Sequence, residues 1–262
     1  MGLFRISTLI LMNLFATGAW AQYVAFSNLS DTQAQGIIKE FSGNFTHTSV
    51  SGASPLGSVF GLELAVVGGM TMTDEIDKLA KQTDPGAEAD KIPHGGILAM
   101  VSVPFGLTAE ASFIPEVGGE DFKFSNMGLG LKWSLTSGLI ELPFSLAVKG
   151  HFMKSDLTFK QTSGVTATVD FKDTVMGLMV LASKNLIFIE PYAGIGVVSG
   201  DGEFDVTGTS IFASGSQSYS DKTTGTQLLA GVEANLLILK AGAEISNQFG
   251  VNRYSVKVGI SF

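Results

Sequence analysis

The sequence predicts a closed antiparallel transmembrane β-barrel of about ten strands, preceded by a short amphipathic helix. Three observations carry this. Apolar and polar residues take turns along most of the chain after residue 57, which is the period of a strand with each face in a different medium. Mean hydropathy is positive, yet beyond residue 21 no run reaches the roughly 18 uninterrupted apolar residues of a helical span. Glycine is abundant, at 32 residues, which disfavours helices and suits turns and twisted strands.

Residues 1–21 read as a secretory leader. Arg5 supplies the positive start, Ile6 to Phe15 the apolar centre, and Ala19-Trp20-Ala21 the small-residue site for cleavage before Gln22. Without Arg5 the chain carries 15 basic against 24 acidic residues, so nucleic acid is not an expected partner. There is no cysteine, which excludes disulfides and thiolate metal sites. No cofactor is expected.

Residues 22–56 form a helix and connector, placed either in the barrel mouth or as a plug. Ser30-Asp31-Thr32-Gln33 has the spacing of a capping box. Ala34, Ile37, Ile38 and Phe41 then fall on one face, and Gly43 marks the end of a helix over 30–42.

Residues 57–262 form the barrel. Alternation predicts strands at 57–72, 95–104, 106–115, 122–135, 142–160, 165–183, 187–206, 222–237, 239–248 and 252–262. Long connections at 73–94, 116–121 and 207–221 alternate with short ones, as outer loops alternate with periplasmic turns. The first long connection contains a charged helical turn opening at Thr73 and broken by Asp84-Pro85-Gly86. The Ser/Thr/Gly/Asp-rich stretch 199–223 reads as a mobile loop, the alternative being that the two strands beside it project past the membrane.

Face assignment is the most informative step. The apolar face of each strand leaves its charges on the other. Those charges are Glu63, Glu110, Lys132, Lys149, Glu190, Glu233, Lys240, Glu244 and Lys257, with His151. A lipid-facing Lys or Arg at mid-membrane costs about 2–4 kcal/mol, so these residues are expected in the lumen. Five acids against four ammoniums are close to balance, and a narrow barrel so lined is filled largely by its own Glu/Lys network. Strand 165–183 has apolar residues on both parities near Val175 to Leu181, which suggests a bulge.

The last strand places Tyr254, Val256, Val258, Ile260 and Phe262 on one face. It resembles the C-terminal signature of bacterial outer-membrane proteins, which implies outer-membrane lipid and the barrel-insertion machinery as partners. The order of leader, helix with Ser42-Gly43-Asn44-Phe45, and a strand opening in Gly-x-x-x-Gly-x-x-Leu from Gly57 to Leu64 resembles an uncharacterised family of bacterial outer-membrane barrels. More distantly it is similar to fatty-acid-transport barrels with an N-terminal plug. These resemblances imply a bacterial outer-membrane location, and a structural role or passive transport of small or hydrophobic molecules.

Chemical motifs are sparse. His47, His94 and His151 show no metal-binding spacing. Asp201-Gly202-Glu203-Phe204-Asp205 lacks the sixth-position Gly and closing Glu of a calcium loop. Asp90 and His94, near the outer end of the second strand, resemble the rim pair of outer-membrane proteases. The alternatives to a non-enzymatic barrel are therefore a rim hydrolase acting on peptide or lipid, or a soluble exported β-protein.

Overall fold

The computed structural model describes residues 29–262, apart from 58, 84, 138–141, 164 and 210–213. The expected leader, 1–21, lies outside the described residues. Helix α1 (Asp31–Phe45) precedes strand β1 (Gly61–Met72), helix α2 (Asp74–Thr83), β2 (Lys91–Val103), β3 (Leu107–Gly118) and β4 (Phe122–Ser134). Six strands complete the chain: β5 (Ser145–Ser163), β6 (Val165–Ser183), β7 (Ile189–Thr209), β8 (Ser214–Leu236), β9 (Leu239–Gln248) and β10 (Val251–Ser261). Each strand pairs antiparallel with its sequence neighbours, and β10 closes the barrel on β1 from Glu63↔Ser261 to Thr71↔Arg253. Phe262 extends this seam, exchanging both backbone hydrogen bonds with Leu62 at 2.8 and 2.9 Å. The connections β2–β3, β4–β5, β6–β7 and β8–β9 share one end of the barrel, the turn end. Those after β1, β3, β5, β7 and β9 share the other, the loop end.

The four longest strands reverse their polarity along their length. On β5 the outward residues begin as Leu146, Val148 and Phe152 and continue as Lys154, Asp156, Thr158 and Lys160. The inward residues do the opposite, from Lys149 and His151 to Leu157 and Phe159. On β6 the outward face runs from Val180, Leu178 and Met176 to Thr174, Lys172 and Asp170, while Phe171 and Val169 are buried inside. On β7 the outward Ile195 and Val197 give way to Asp201, Glu203 and Asp205, with Phe204 and Val206 inside. The loop-end half is thus a sheet wrapped around an oily centre, as in a water-soluble protein. Helix α1 supplies that centre. Ala34, Ile37, Ile38, Phe41 and Phe45 pack against Leu157, Phe171 and Phe204 in one cluster, with ring centroids of Phe41 and Phe171 4.8 Å apart.

Several sequence expectations change. The predicted capping box forms, with Ser30 Oγ accepting from Gln33 N–H at 3.3 Å and Gln33 Oε1 from Ser30 N–H at 3.0 Å. The helix does not stop at Gly43 but continues to Phe45; Gly43 instead lets α1 approach β10, where an added Cβ would lie 3.0 Å from Val251. The stretch 199–223 is mostly paired strand, because its inward Phe204 and Val206 have α1 to cover. Strand β6 pairs without interruption on both sides. Its inward Val175, Met179 and Leu181 are apolar because they meet other apolar lumen residues. The bulge lies in β3, between Ile114 and Val117.

Phe171→Ala removes the centre of the loop-end core, a change that typically costs about 3–5 kcal/mol. Hydrogen exchange should show lost protection in α1 and the outer halves of β5–β8, with the β1–β10 seam unchanged. Equal loss at the seam would show that the two halves do not behave separately.

Candidate functional site

The lumen is occupied by the chain's own N-terminal segment. Beyond α1, residues 46–56 run without regular secondary structure from the loop end to the turn end. They are mostly small and hydroxyl-bearing, so they fit inside a narrow barrel. Having no helix or ladder of their own, their enclosed N–H and C=O groups need partners, and inward-facing side chains provide them. Lys132 Nζ donates to the carbonyls of Gly52 at 2.7 Å and Ser54 at 3.1 Å. Ala53 N–H donates to Ser183 Oγ at 3.0 Å, and its carbonyl accepts from Ser134 Oγ at 2.5 Å. Ser54 N–H reaches Glu190 Oε1 at 3.1 Å, and Leu56 N–H reaches Ser102 Oγ at 3.0 Å. Arg253 donates to the carbonyl of Thr46.

Side chains of the connector join the same system. Thr48 Oγ1 donates to Glu244 Oε1 at 2.8 Å, and Tyr192 donates to the other oxygen at 3.0 Å. Lys149 Nζ donates to Ser49 Oγ at 2.8 Å. His47 Nε2 lies 2.9 Å from Glu110 Oε2, and its Nδ1 lies 3.0 Å from Ser112 Oγ. This hydroxyl–imidazole–carboxylate order has the members of an acyl-transfer triad. However, the imidazole and carboxylate have no exposed side-chain surface, and the contacts fix the connector to β3.

All ten lumen residues named from the alternation face inward, but they do not form one network. Near the turn end Lys257 Nζ bridges Glu63 Oε1 at 2.7 Å and Glu233 Oε2 at 3.0 Å. Lys240 joins the same carboxylates at 3.5 and 2.8 Å. A separate group holds Lys149 and His47 on Glu110, the Lys149 pair at 2.7 Å. Lys132, Glu190 and Glu244 serve the connector, as above, and His151 Nε2 pairs with Gln227 Oε1 at 2.9 Å. Apolar groups separate these contacts: Val50 packs with Ala65, Val67, Leu98 and Met100, and Ala53 with Ala147, Met179 and Leu181.

Sequence reasoning missed His47 and Arg253 as lumen groups. Arg253 shares the inward parity of Ser255 and Lys257 on β10 and could have been found that way. His47 could not, since only the fold brings the connector to β3. His94 is not at an open rim. It is buried, with Nε2 2.9 Å from Ser255 Oγ and Nδ1 3.3 Å from Thr71 Oγ1. Asp90 instead lies 4.0 Å from Lys91. The two residues of the rim hydrolase reading therefore do not share a site.

At the loop end α1 and α2 are joined by Glu40. Its carboxylate accepts from the N–H groups of Glu75 at 2.6 Å and Ile76 at 2.9 Å, capping α2 from another helix. Thr73, expected to be the cap, instead donates its hydroxyl to the Ala89 carbonyl at 2.7 Å. Burial raises the Glu40 carboxyl to about 7, helped by the carboxylates of Glu75 and Asp74 and opposed by the two N–H donors.

Lys257→Met should cost about 3–5 kcal/mol, because Glu63 and Glu233 stay buried with one partner fewer. A fall in the denaturant midpoint of the folded gel band would record it, and adding Glu63→Gln should recover most of the loss. For Glu40 the folded value lies above the unfolded one. The docking of α2 on α1 is therefore strongest below about pH 4.5 and weakens as pH rises through about 7. Exchange of the Glu75 and Ile76 amides should follow that trend in the native chain and lose it in Glu40→Gln.

Comparison with known proteins adds the following. Among solved structures, the chain is similar to the translocator domain of autotransporter NalP from Neisseria meningitidis at 10% identity, covering 79% of this chain and 89% of that one, with a TM-score of 0.46. It is similar to Ail, the attachment invasion locus protein of Yersinia pestis, at 15% identity over 78% and 99%, with a TM-score of 0.36. Similarity to the P. putida toluene transporter TodX is 11% over 76% and 69%, with a TM-score of 0.34. No curated protein matches. A family model, the Family of unknown function (DUF6588), matches residues 3–262. That span is nearly the whole chain, and the chain belongs to this family.

Proposed function

We propose that this protein is a bacterial outer-membrane β-barrel, exported by a cleaved leader, whose N-terminal segment closes its own lumen. The observation that carries this reading is the outward apolar belt. Leu64, Val66, Leu129, Leu131, Leu178, Val180, Ile195, Val256 and Val258 are all exposed on it, while Glu63, Lys132 and Lys257 on the same strands, and Glu110 and Glu233 on adjoining ones, are buried. Water gives no reason for that arrangement, whereas acyl chains do. The belt ends where Lys154, Thr174, Asp201 and Lys222 lie side by side on neighbouring strands, and the strands beyond stand in water outside the cell.

The resting role is structural. Passive transport of small or hydrophobic molecules requires the connector to leave. Its contacts are separate hydrogen bonds to lumen side chains, and water or a polar solute can replace these. The ion pairs around Lys257 lie within the wall and need not break.

The protein should fractionate with outer membranes, migrate differently before and after boiling, and show no stepwise current in planar bilayers. Replacing Lys132 and Lys149 together by Met should produce brief openings. Recovery as a soluble periplasmic protein would overturn the location, and steady conductance of the native chain would overturn the closed lumen.

A further inference from the structure

The turn end of the barrel is built in an unusual way. Three of its turns place a bulky apolar residue at positive φ: Phe105 at 69°, Ile187 at 71° and Leu237 at 60°. Glycine, asparagine or aspartate ordinarily occupy such positions, because a Cβ crowds the backbone there. These side chains contribute nothing to the interior. Phe105 is 84% exposed, Ile187 80%, and Leu237 wholly so. Phe60, Phe188 and Ile238 beside them are also exposed. Among the described residues of these turns Lys184 is the one charged side chain.

The backbone of the turns is unusual in a second respect. In water a turn tip can leave its carbonyls and amides to solvent. Here several of them find partners within the protein. The Phe105 carbonyl accepts from Trp133 Nε1 at 3.2 Å. The Phe188 carbonyl accepts from Asn235 N–H at 2.7 Å, and the Ile238 carbonyl from Ser261 N–H at 2.8 Å. Ile187 N–H donates to its neighbour's Asn185 Oδ1 at 3.0 Å. Internal satisfaction of backbone groups is what a lipid environment requires and water does not.

We infer that the turn end is a lipid-embedded rim: its tips lie in the acyl and headgroup boundary of the periplasmic leaflet, not in the periplasm. This rests on the outer-membrane reading above and adds to it a depth of insertion. The rim is continuous with the belt, since Phe60, Trp133, Leu236 and Leu239 join the tips to the outward faces of the strands. Lipid can meet the tips at Phe105, Ile187 and Leu237 at once, although they stand on separate parts of the barrel rim.

The absence of cysteine allows single-site labelling. Nitroxide labels at Leu237→Cys and Ile187→Cys would be compared with Val66→Cys in the belt and Lys222→Cys at its water edge. The protein would be reconstituted in phosphatidylethanolamine–phosphatidylglycerol vesicles, with heat-modifiable migration confirming that each variant is folded. Collision with oxygen and with a water-soluble nickel chelate is read at each site. Rim labels open to oxygen and closed to nickel, like Val66→Cys, are expected. Rim labels open to nickel while Val66→Cys is closed would overturn the embedded rim and leave the barrel in its membrane. A nickel-accessible Val66→Cys would instead overturn the membrane reading. Rim labels closed to both reagents would mean that protein covers the tips, which also overturns the proposal.

Discussion

A β-strand cannot change which of its residues point inward without a bulge or a break. A strand that passes from one medium into another must therefore exchange the chemistry of both faces at the same level. β5, β6 and β7 do this between Phe152 and Lys154, Met176 and Thr174, and Val197 and Asp201. The rest of the structure follows from that constraint. Once the outward face becomes polar, the inward face becomes free to be apolar, and an apolar inward face inside a closed barrel needs something to bury. Helix α1 is that object, and its stripe of Ala34, Ile37, Ile38 and Phe41 is matched to it.

Below that level the problem reverses. The inward face carries charges, and the segment leading from α1 to β1 must pass among them without regular hydrogen bonding of its own. The two needs answer each other. Lysine and serine side chains of the wall satisfy the connector's carbonyls and amides, and the connector limits the water that would otherwise be needed around those groups. A lumen packed with polypeptide can also admit apolar residues, which explains Met100, Met179 and Leu181 on faces that alternation alone would assign to water.

The two ends of the barrel are finished differently. At the loop end Glu40 links α1 to α2, so the long first connection is tied to the helix within the barrel rather than left as a separate excursion. Among the described residues the turn end has no such cover. The turns at Phe105, Ile187 and Leu237 pair part of their backbone within the protein and present these apolar side chains outward, an arrangement that matches the proposed membrane boundary.

Much of the architecture was legible because it depends on short-range rules. Period-two alternation identified the strands and the inward direction of Glu63, Glu110, Glu233 and Lys257. The Ser30/Gln33 spacing identified the start of α1. Errors arose wherever a residue answers to something distant in sequence. Gly43 resembles a helix stop but is a contact with Val251. Thr73 resembles a cap, yet Glu40 does the capping. His94 resembles a rim residue but is enclosed by Thr71 and Ser255. The pairing of lumen charges was hidden for the same reason, since it depends on which strands become neighbours when the barrel closes and on a connector that partners Lys132 and Glu190 through its backbone. Local sequence determined which residues turn inward, because alternation is a property of one strand. Only the tertiary structure decided what they meet there, because that depends on closure and on what the lumen contains.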